Sequence, residues 1–197
     1  MLNENRGLAM SRHAQAGTSM IEVLISIVIV VLGLLGLAGL QSRAQLAEAE
    51  SFQRAQAIVL LQDMVDRIQS NRKASMSYVT TGEGTGKSVQ DCSAMTGATL
   101  DLCEWSNALL GAAESAGGLK VGAMAGARGC VLNVTATMPR EFLVSVVWQG
   151  INPTAAPGAT DCGKSQYGDE KTRRAITSSV IIGCLQNNLA TGVCVTP

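Results

Sequence analysis

The feature that most constrains this chain is a long apolar stretch close to its N-terminus. From Val23 to Ser42 no residue carries a formal charge, and the apolar residues are not confined to one side of a helix. A helix rises about 1.5 Å per residue, so this stretch is long enough to cross the roughly 30 Å hydrocarbon core of a bilayer. The sequence therefore predicts a transmembrane helix over residues 18–42. Arg6 and Arg12 precede it and place the N-terminal side in the cytoplasm.

One carboxylate, that of Glu22, lies inside the start of the apolar stretch. An ionisable side chain costs roughly 2.5–3.5 kcal/mol at mid-bilayer and less near the interface, so we expect it to have a partner. Cleavage between Gly17 and Thr18 would create an α-amino group four residues before Glu22. That amine, on the same chain or on a neighbouring copy, is the partner that the sequence predicts.

The segment from Gly17 to Glu22, followed by the apolar run, resembles the cleavage and methylation site of type IV prepilins. Two further stretches, GLLGLAGLQ at 33–41 and LQDMVDRIQSNR at 61–72, are similar to PilV-type minor pilins, the type IV pilus modification proteins. The resemblance implies a leader peptide over residues 1–17, cleavage after Gly17, N-methylation of Thr18 and an assembly contact through Glu22. Thr18 departs from the phenylalanine or methionine that usually begins a mature pilin.

The sequence predicts that the helix continues beyond the membrane segment. No Gly or Pro occurs between residues 40 and 81, which favours an uninterrupted helix. Its later apolar positions follow the i, i+3, i+4, i+7 pattern of an amphipathic helix: Leu61, Met64, Val65 and Ile68. We therefore expect one helix from about Ser19 to Asn71, with an amphipathic second half within residues 43–75 packed on a domain.

Three glycines, Gly33, Gly36 and Gly39, lie in the middle of this helix. Each weakens it by up to about 1 kcal/mol relative to alanine. Small residues also permit close approach of neighbouring helices in a membrane. The resemblance implies helix loosening near Gly39 during filament assembly, because major pilins carry a proline at about that place. We assign the three glycines to flexibility and packing.

Residues 76–197 are predicted to form a globular α+β head. A short helix is expected over Asp101–Ala116, ended by Gly117 and Gly118, with Trp105 anchored in the core. The residue pattern then alternates with a period of two, which predicts strands over residues 131–137, 141–149 and 175–185 and a weaker one over residues 120–125. The resemblance implies the type IV pilin fold, a long N-terminal helix on a small antiparallel sheet with a disulfide-tied C-terminal region.

The cysteines all follow the apolar segment, which fits an oxidising compartment: Cys92, Cys103, Cys130, Cys162, Cys184 and Cys194. Cys92 and Cys103 are close in sequence and form the favoured pair. Cys130 and Cys184 terminate neighbouring strand-like runs, which makes them a second expected pair and leaves Cys162 with Cys194. Six cysteines can pair in about fifteen ways, and the sequence does not settle the pairing of Cys162 with Cys194. No C-x-x-C pair suggests a metal site.

Three polar segments are interpreted without a binding role. Gly82–Ser88 has glycine spacing unlike that of a phosphate-binding loop and is expected to be a flexible loop. Residues 152–167 are expected to form a long surface loop. The charges from Asp169 to Arg174 are interpreted as a solvated cluster.

The composition argues against an enzyme. The one histidine, His13, lies in the leader, and no nucleophile motif or apolar carboxylate pair is present. We expect no catalytic residue, no metal and no cofactor. Fifteen basic residues balance fifteen acidic ones, so the charge does not suggest a nucleic-acid partner.

The resemblance implies a minor pilin that is cleaved by prepilin peptidase, acts in pilus assembly initiation and biogenesis, and enters the filament at low copy number. Its expected partners are other minor and major pilins, the inner-membrane assembly platform, prepilin peptidase and the membrane. The expected location is the bacterial inner membrane with the head in the periplasm, and later the surface pilus. Two alternatives stay open: a minor pseudopilin of a type II secretion system, and a membrane-anchored adhesin or binding domain that never polymerises.

Overall fold

The computed structural model describes residues 19–111, 115–116, 119–120, 124–187 and 194–196. The chain divides into two compact units, Met1–Gln45 and Leu46–Pro197. The longest element is helix α1, Met20–Ser70, which agrees closely with the predicted bounds. Gly17 and Thr18, and with them the predicted leader, lie outside the described residues.

The described part of the first unit consists of the N-terminal half of α1. All of its side chains from residue 19 to residue 45 are exposed within this chain. Among the described helices, α1 is the one that is long and apolar enough to cross a membrane, judged by length and composition. Its apolar surface therefore has no covering from the described part of its own chain.

The second unit begins with the C-terminal half of α1. The elements after α1 are a 3₁₀ helix Arg72–Tyr78, α2 Ala98–Leu109, β1 Ser115–Ala116, β2 Leu119–Lys120, β3 Arg128–Thr135, β4 Arg140–Gln149, a 3₁₀ helix Glu170–Thr172, β5 Arg173–Ile182, β6 Gln186–Asn187 and β7 Cys194–Thr196. Three strands form an antiparallel sheet in the order β3-β4-β5, and two short pairs, β1-β2 and β6-β7, complete the described strands. This is an α+β fold of the pilin type, with a long N-terminal apolar helix, a small antiparallel sheet and three disulfides.

One face of the sheet and one side of α1 form a common hydrophobic core. The alternating residues of β4 that the sequence assigned to one face are all buried there: Phe142, Val144, Val146 and Trp148. The amphipathic stripe of α1 is buried in the same core: Leu61, Met64, Val65 and Ile68. Both periodicities thus predicted the correct buried faces.

The second helix is shorter at its end than expected, and it starts earlier. It covers Ala98–Leu109 instead of Asp101–Ala116. Gly111 ends it, because this residue adopts a φ of +64°, in the left-handed region that glycine enters at little cost. Ser115 and Ala116 lie in strand β1, while Gly117 and Gly118 lie outside the described residues.

The strands also differ from expectation at their ends. β3 begins at Arg128, and β5 runs from Arg173 to Ile182 rather than over residues 175–185. Of the weak strand expected over residues 120–125, Lys120 ends β2, Met124 and Ala125 are not in a strand, and the intervening residues are not described. β4 pairs with β5 along its whole length. This pairing makes both strands begin earlier than the alternating residues in the sequence predicted.

The segment expected to be a flexible loop, Gly82–Ser88, is bound to the edge of β3. Thr85 donates its N–H to the carbonyl oxygen of Gly129 at 2.8 Å, and Thr80, just before the segment, donates to Val131 at 2.9 Å. Gly86 sits so close to β3 that an added Cβ would lie 2.6 Å from the carbonyl oxygen of Ala127. Gly84 and Gly86 therefore serve close approach to the backbone of β3.

The disulfide pairing agrees with the sequence prediction for one bridge and differs from it for the other two. The structure joins Cys92 to Cys103, the pair favoured by sequence, with Cα atoms 5.8 Å apart. The other two expected pairs are wrong: the bridges are Cys130–Cys162 and Cys184–Cys194.

Strand register explains why Cys130 does not reach Cys184. Cys130 lies opposite Ser145, and Ser145 lies opposite Thr177 of β5. Cys184 is seven residues farther along the chain than Thr177. At about 3.3 Å per strand residue, this offset far exceeds the roughly 4.4–6.8 Å between Cα atoms that a disulfide spans.

Candidate assembly site

Glu22 occupies the first turn of α1, where a negative charge complements the positive end of the helix dipole. Ser26, one turn later, donates its hydroxyl to the backbone carbonyl oxygen of Glu22 at 2.7 Å. The Glu22 side chain is exposed and surrounded by apolar residues of the same helix. The pair with an amine on Thr18 stays a prediction, since Thr18 is not described.

The three glycines of the apolar half lie within continuous helix. A Cβ added at Gly33, Gly36 or Gly39 would meet no atom of the chain within 4 Å. Packing within the described chain therefore gives no reason for glycine at these positions. Their predicted role, close approach of another helix, stays a prediction that this open space permits.

The second half of α1 exposes apolar side chains on the side away from the core. Phe52, Ile58 and Val59 are 53%, 52% and 63% exposed, whereas Ala57 is fully buried. An amphipathic helix on a soluble domain would carry polar residues at such positions. This half of α1 thus offers an apolar outer strip of its own, suited to burial against another chain.

A charged cluster fastens α1 to α2. The guanidinium of Arg67 donates to Asp63 at 3.1 Å on its own helix and to Asp101 at 3.0 Å and Glu104 at 2.7 Å on α2. Burial disfavours its charged form, but the bonds to the three carboxylates outweigh this and raise the pKa of Arg67 above its ordinary value. The cluster holds the two helices in one orientation.

Tyr78 extends this cluster into the core. Its hydroxyl donates a short hydrogen bond to Asp101 and accepts one from the side-chain amide of Asn71 at 3.2 Å. Burial, followed by the bond to Asp101, raises the pKa of Tyr78 to about 12. The hydroxyl therefore stays protonated at physiological pH and acts as a structural donor.

Trp105 is a core anchor, as the sequence predicted. It is fully buried, and its indole Nε1 donates to the backbone carbonyl oxygen of Leu60 on α1 at 2.8 Å. Its ring lies directly on Gly129 of β3, where an added Cβ would come within 2.2 Å of ring carbon Cη2. One side chain thus connects α2, α1 and the sheet.

Arg173 was missed by the sequence interpretation, which placed it in a solvated cluster. It is only 2% exposed, because the irregular segment of residues 150–169 folds over it. Its guanidinium bonds to Glu170 at 2.7 Å and donates to the backbone carbonyl oxygens of Thr160 at 2.9 Å and Cys162 at 3.1 Å. A buried arginine needs such partners.

The Cys130–Cys162 bridge fixes the same segment to the outer face of the sheet. Cys162 and Val147 are fully buried together with Tyr167, whose hydroxyl donates to the carbonyl oxygen of Gly126 at 2.8 Å. The expected surface loop is therefore a covering layer with a small core of its own. No local pattern in residues 152–167 indicates this, because the covering arises from contacts with distant residues.

The described residues hold no group of three or more His, Cys, Asp or Glu side chains that could bind a metal ion. The side chains with shifted pKa values are engaged in the structural contacts above or lie on the surface. The polar groups described here connect helices, loop and sheet. The residues that the sequence predicted for assembly are spread along the exposed half of α1: Glu22, Gly33, Gly36 and Gly39.

Residues 39–107 match a family model described as Tt1218-like, type IV pilin Tt1218. The match covers about a third of the chain and contains the second half of α1, the 3₁₀ helix after it and most of α2. It does not include the segment from Gly17 to Glu22. No curated protein and no solved structure matches the chain.

The family match supports a place in the type IV pilin superfamily and a general pilin role. Pilins of this kind are structural proteins and not enzymes. The family also suggests association with other pilins, membrane anchoring and a pilus location. Because the matched residues and the prepilin-like segment do not overlap, they are two separate indications of the same class.

Proposed function

We propose that this chain is a PilV-type minor pilin, cleaved after Gly17 by prepilin peptidase and incorporated at low copy number into a type IV pilus. The observation that carries the proposal is Glu22, a single carboxylate in the first turn of an otherwise apolar and fully exposed helix half. A simple membrane anchor needs no such charge. A helix that must take one defined position among similar helices needs such a charge.

The mechanism is lateral transfer of α1 from the inner membrane into a bundle of like helices. Apolar burial drives this step only weakly, since lipid is as apolar as the helix surface. Specificity therefore comes from packing at the three glycines and from a bond between Glu22 and an amine at Thr18 of a neighbouring chain. Hydrogen bonds to charged groups contribute roughly 1.5–3 kcal/mol.

The test is Glu22→Ala, with cells fractionated into inner membrane and sheared surface filaments. Membrane insertion should be unchanged or easier, because the segment becomes more apolar. Incorporation into filaments should fall at least about tenfold, since each 1.4 kcal/mol corresponds to a factor of ten. Glu48→Ala is the matched control, because it removes an exposed carboxylate from the polar half of the same helix.

Three outcomes would count against the proposal. Normal incorporation of the Glu22→Ala protein would favour the anchored adhesin. Absence of the wild-type protein from sheared pili by mass spectrometry, together with its presence in a secretion pseudopilus, would favour the pseudopilin. N-terminal sequencing that finds Met1 on mature protein would reject cleavage after Gly17, and Gly17→Ala should leave unprocessed precursor in the membrane.

A further inference from the structure

A cleft of about 370 Å³ opens where the second half of α1 crosses the ends of β4 and β5. Its floor is apolar and consists of the side chains of Trp148, which is 4% exposed, and the partly buried Ile176. Its rim is charged and consists of Glu50 and Arg54 on α1 and Arg174 on β5. No role discussed so far uses this cleft.

The carboxylate of Glu50 is already engaged. Its Oε1 accepts the backbone N–H of Asn152 at 3.3 Å and lies 3.5 Å from Nη2 of Arg174. The Arg174 guanidinium also donates to the backbone carbonyl oxygens of Lys171 at 3.1 Å and Asn152 at 2.5 Å. Glu50 and Arg174 therefore neutralise each other.

Arg54 supplies the remaining charge of the cleft. Its side chain is exposed, and within the described residues no carboxylate forms an ion pair with it. The rim thus carries two guanidinium groups and one carboxylate, a net charge of one positive unit. The surface is complementary to an anion that can reach Arg54 and the outer edge of Arg174.

Arg174 is held in place by a glycine. A Cβ at Gly150 would lie 2.7 Å from Cζ of Arg174, so only glycine lets the guanidinium rest against this backbone. Arg174 is also just 18% exposed in its side chain. A partly desolvated, pre-positioned guanidinium is a stronger partner for a carboxylate than a solvated one, because the surroundings screen the charge less.

We infer that the cleft receives an Asp or Glu side chain from a neighbouring pilin chain in the filament. A guanidinium presents a planar pair of donors that matches a carboxylate. The volume suits one side chain with its flanking backbone. Leu46, one helical turn before Glu50 of the rim, is an apolar residue that is 44% exposed, so a chain that covers it brings its side chains to the rim. The inference rests on the proposed function, which supplies the neighbouring chain.

The experiment places a photo-reactive phenylalanine analogue at Ala47 in the full-length protein in its own cells. Ala47 is exposed and lies one helical turn before Ser51, which also lines the cleft. Sheared filaments are irradiated, and the cross-linked peptide is identified by mass spectrometry. We expect a peptide of another pilin chain that contains Asp or Glu. The cross-link yield per incorporated molecule should fall at least tenfold with Arg54→Glu and fall less with Arg54→Lys, which keeps the charge but not the planar pair of donors. It should not change with Lys73→Glu, a charge reversal at an exposed site away from the cleft.

A second arm separates loss of docking from loss of folding. Gly150→Ala displaces only the end of the Arg174 side chain, and it should lower the same yield while filament entry persists. Reversal of the acidic partner residue to Arg should restore the yield of Arg54→Glu. Unchanged yield with Arg54→Glu, or a cross-link to a molecule other than a pilin, overturns the inference while the Glu22 test still stands. Absence of the wild-type protein from filaments overturns the proposed function and this inference together.

Discussion

The structure predicts that Gly129→Ala, which adds a single carbon, destabilises the core of the head. The new Cβ would lie 2.2 Å from Cη2 of Trp105 and 2.7 Å from Cδ1 of Leu109. Both side chains are fully buried, so neither can move into solvent. The hydrogen bond from the indole of Trp105 to Leu60 limits rotation of the ring as well.

The cost follows from these two constraints. Overpacking of a well-packed core costs about 1–3 kcal/mol. Loss of the indole hydrogen bond, if the ring shifts to make room, adds about 0.5–1.5 kcal/mol. The free energy of unfolding should therefore fall by about 2–4 kcal/mol, a large fraction of the roughly 5–15 kcal/mol that stabilises a typical domain.

The assay is urea unfolding of the full-length protein in detergent micelles with its disulfides intact, monitored by tryptophan fluorescence, to which Trp148 contributes in every variant. Trp105→Phe removes the ring atoms nearest Gly129, so adding Gly129→Ala to that variant should cost less than about 1 kcal/mol. Gly158→Ala is the control, because a Cβ there meets nothing within 4 Å. Wild-type stability of Gly129→Ala, or an equal cost with and without Trp105, would refute the packing argument.

Two further predictions concern the head. Both tyrosines, Tyr78 and Tyr167, have a pKa raised to about 12, chiefly by burial. The stabilisation from a raised tyrosine pKa is complete below the pKa of the unfolded chain, which is near 10, and is lost as the pH rises to the folded pKa. The free energy of unfolding should therefore fall between about pH 10 and 12, and tyrosinate absorbance should appear near pH 10 in urea but near pH 12 without it. A titration midpoint near pH 10 in the folded protein would contradict this. Replacing Cys130 and Cys162 by Ala should lower the free energy of unfolding by about 3–4 kcal/mol in urea unfolding. The same change at the shorter Cys184–Cys194 loop should cost less, and equal costs would argue against a loop-length effect.

Much of the fold was predictable because it depends on periodicity along the chain. The 3.6-residue pattern predicted that Leu61 and Ile68 face the core, and the alternation in β4 did the same for Phe142 and Trp148. These signals are local, since a helix or strand places each side chain by its position alone. The absence of Gly and Pro between residues 40 and 81 likewise predicted the continuity of α1.

The candidate site was predictable only where a residue is unusual in its own segment. Glu22 stands out because it is a charge in an apolar run, and the glycines stand out because they weaken a helix. Arg54 and Arg174 carry no such signal. They are ordinary charged residues far apart in sequence, and the cleft that joins them exists only after α1 lies across β5.

The sequence by itself determined the apolar helix, the buried stripe and the face of β4 that packs inward. The tertiary structure alone decided the partners of Cys130 and Cys184, the burial of Arg173 and the docking of Gly82–Ser88 on β3. The reason is physical. Periodicity records which side of an element faces apolar surroundings, whereas strand register and loop path depend on distances between residues that are remote in the chain.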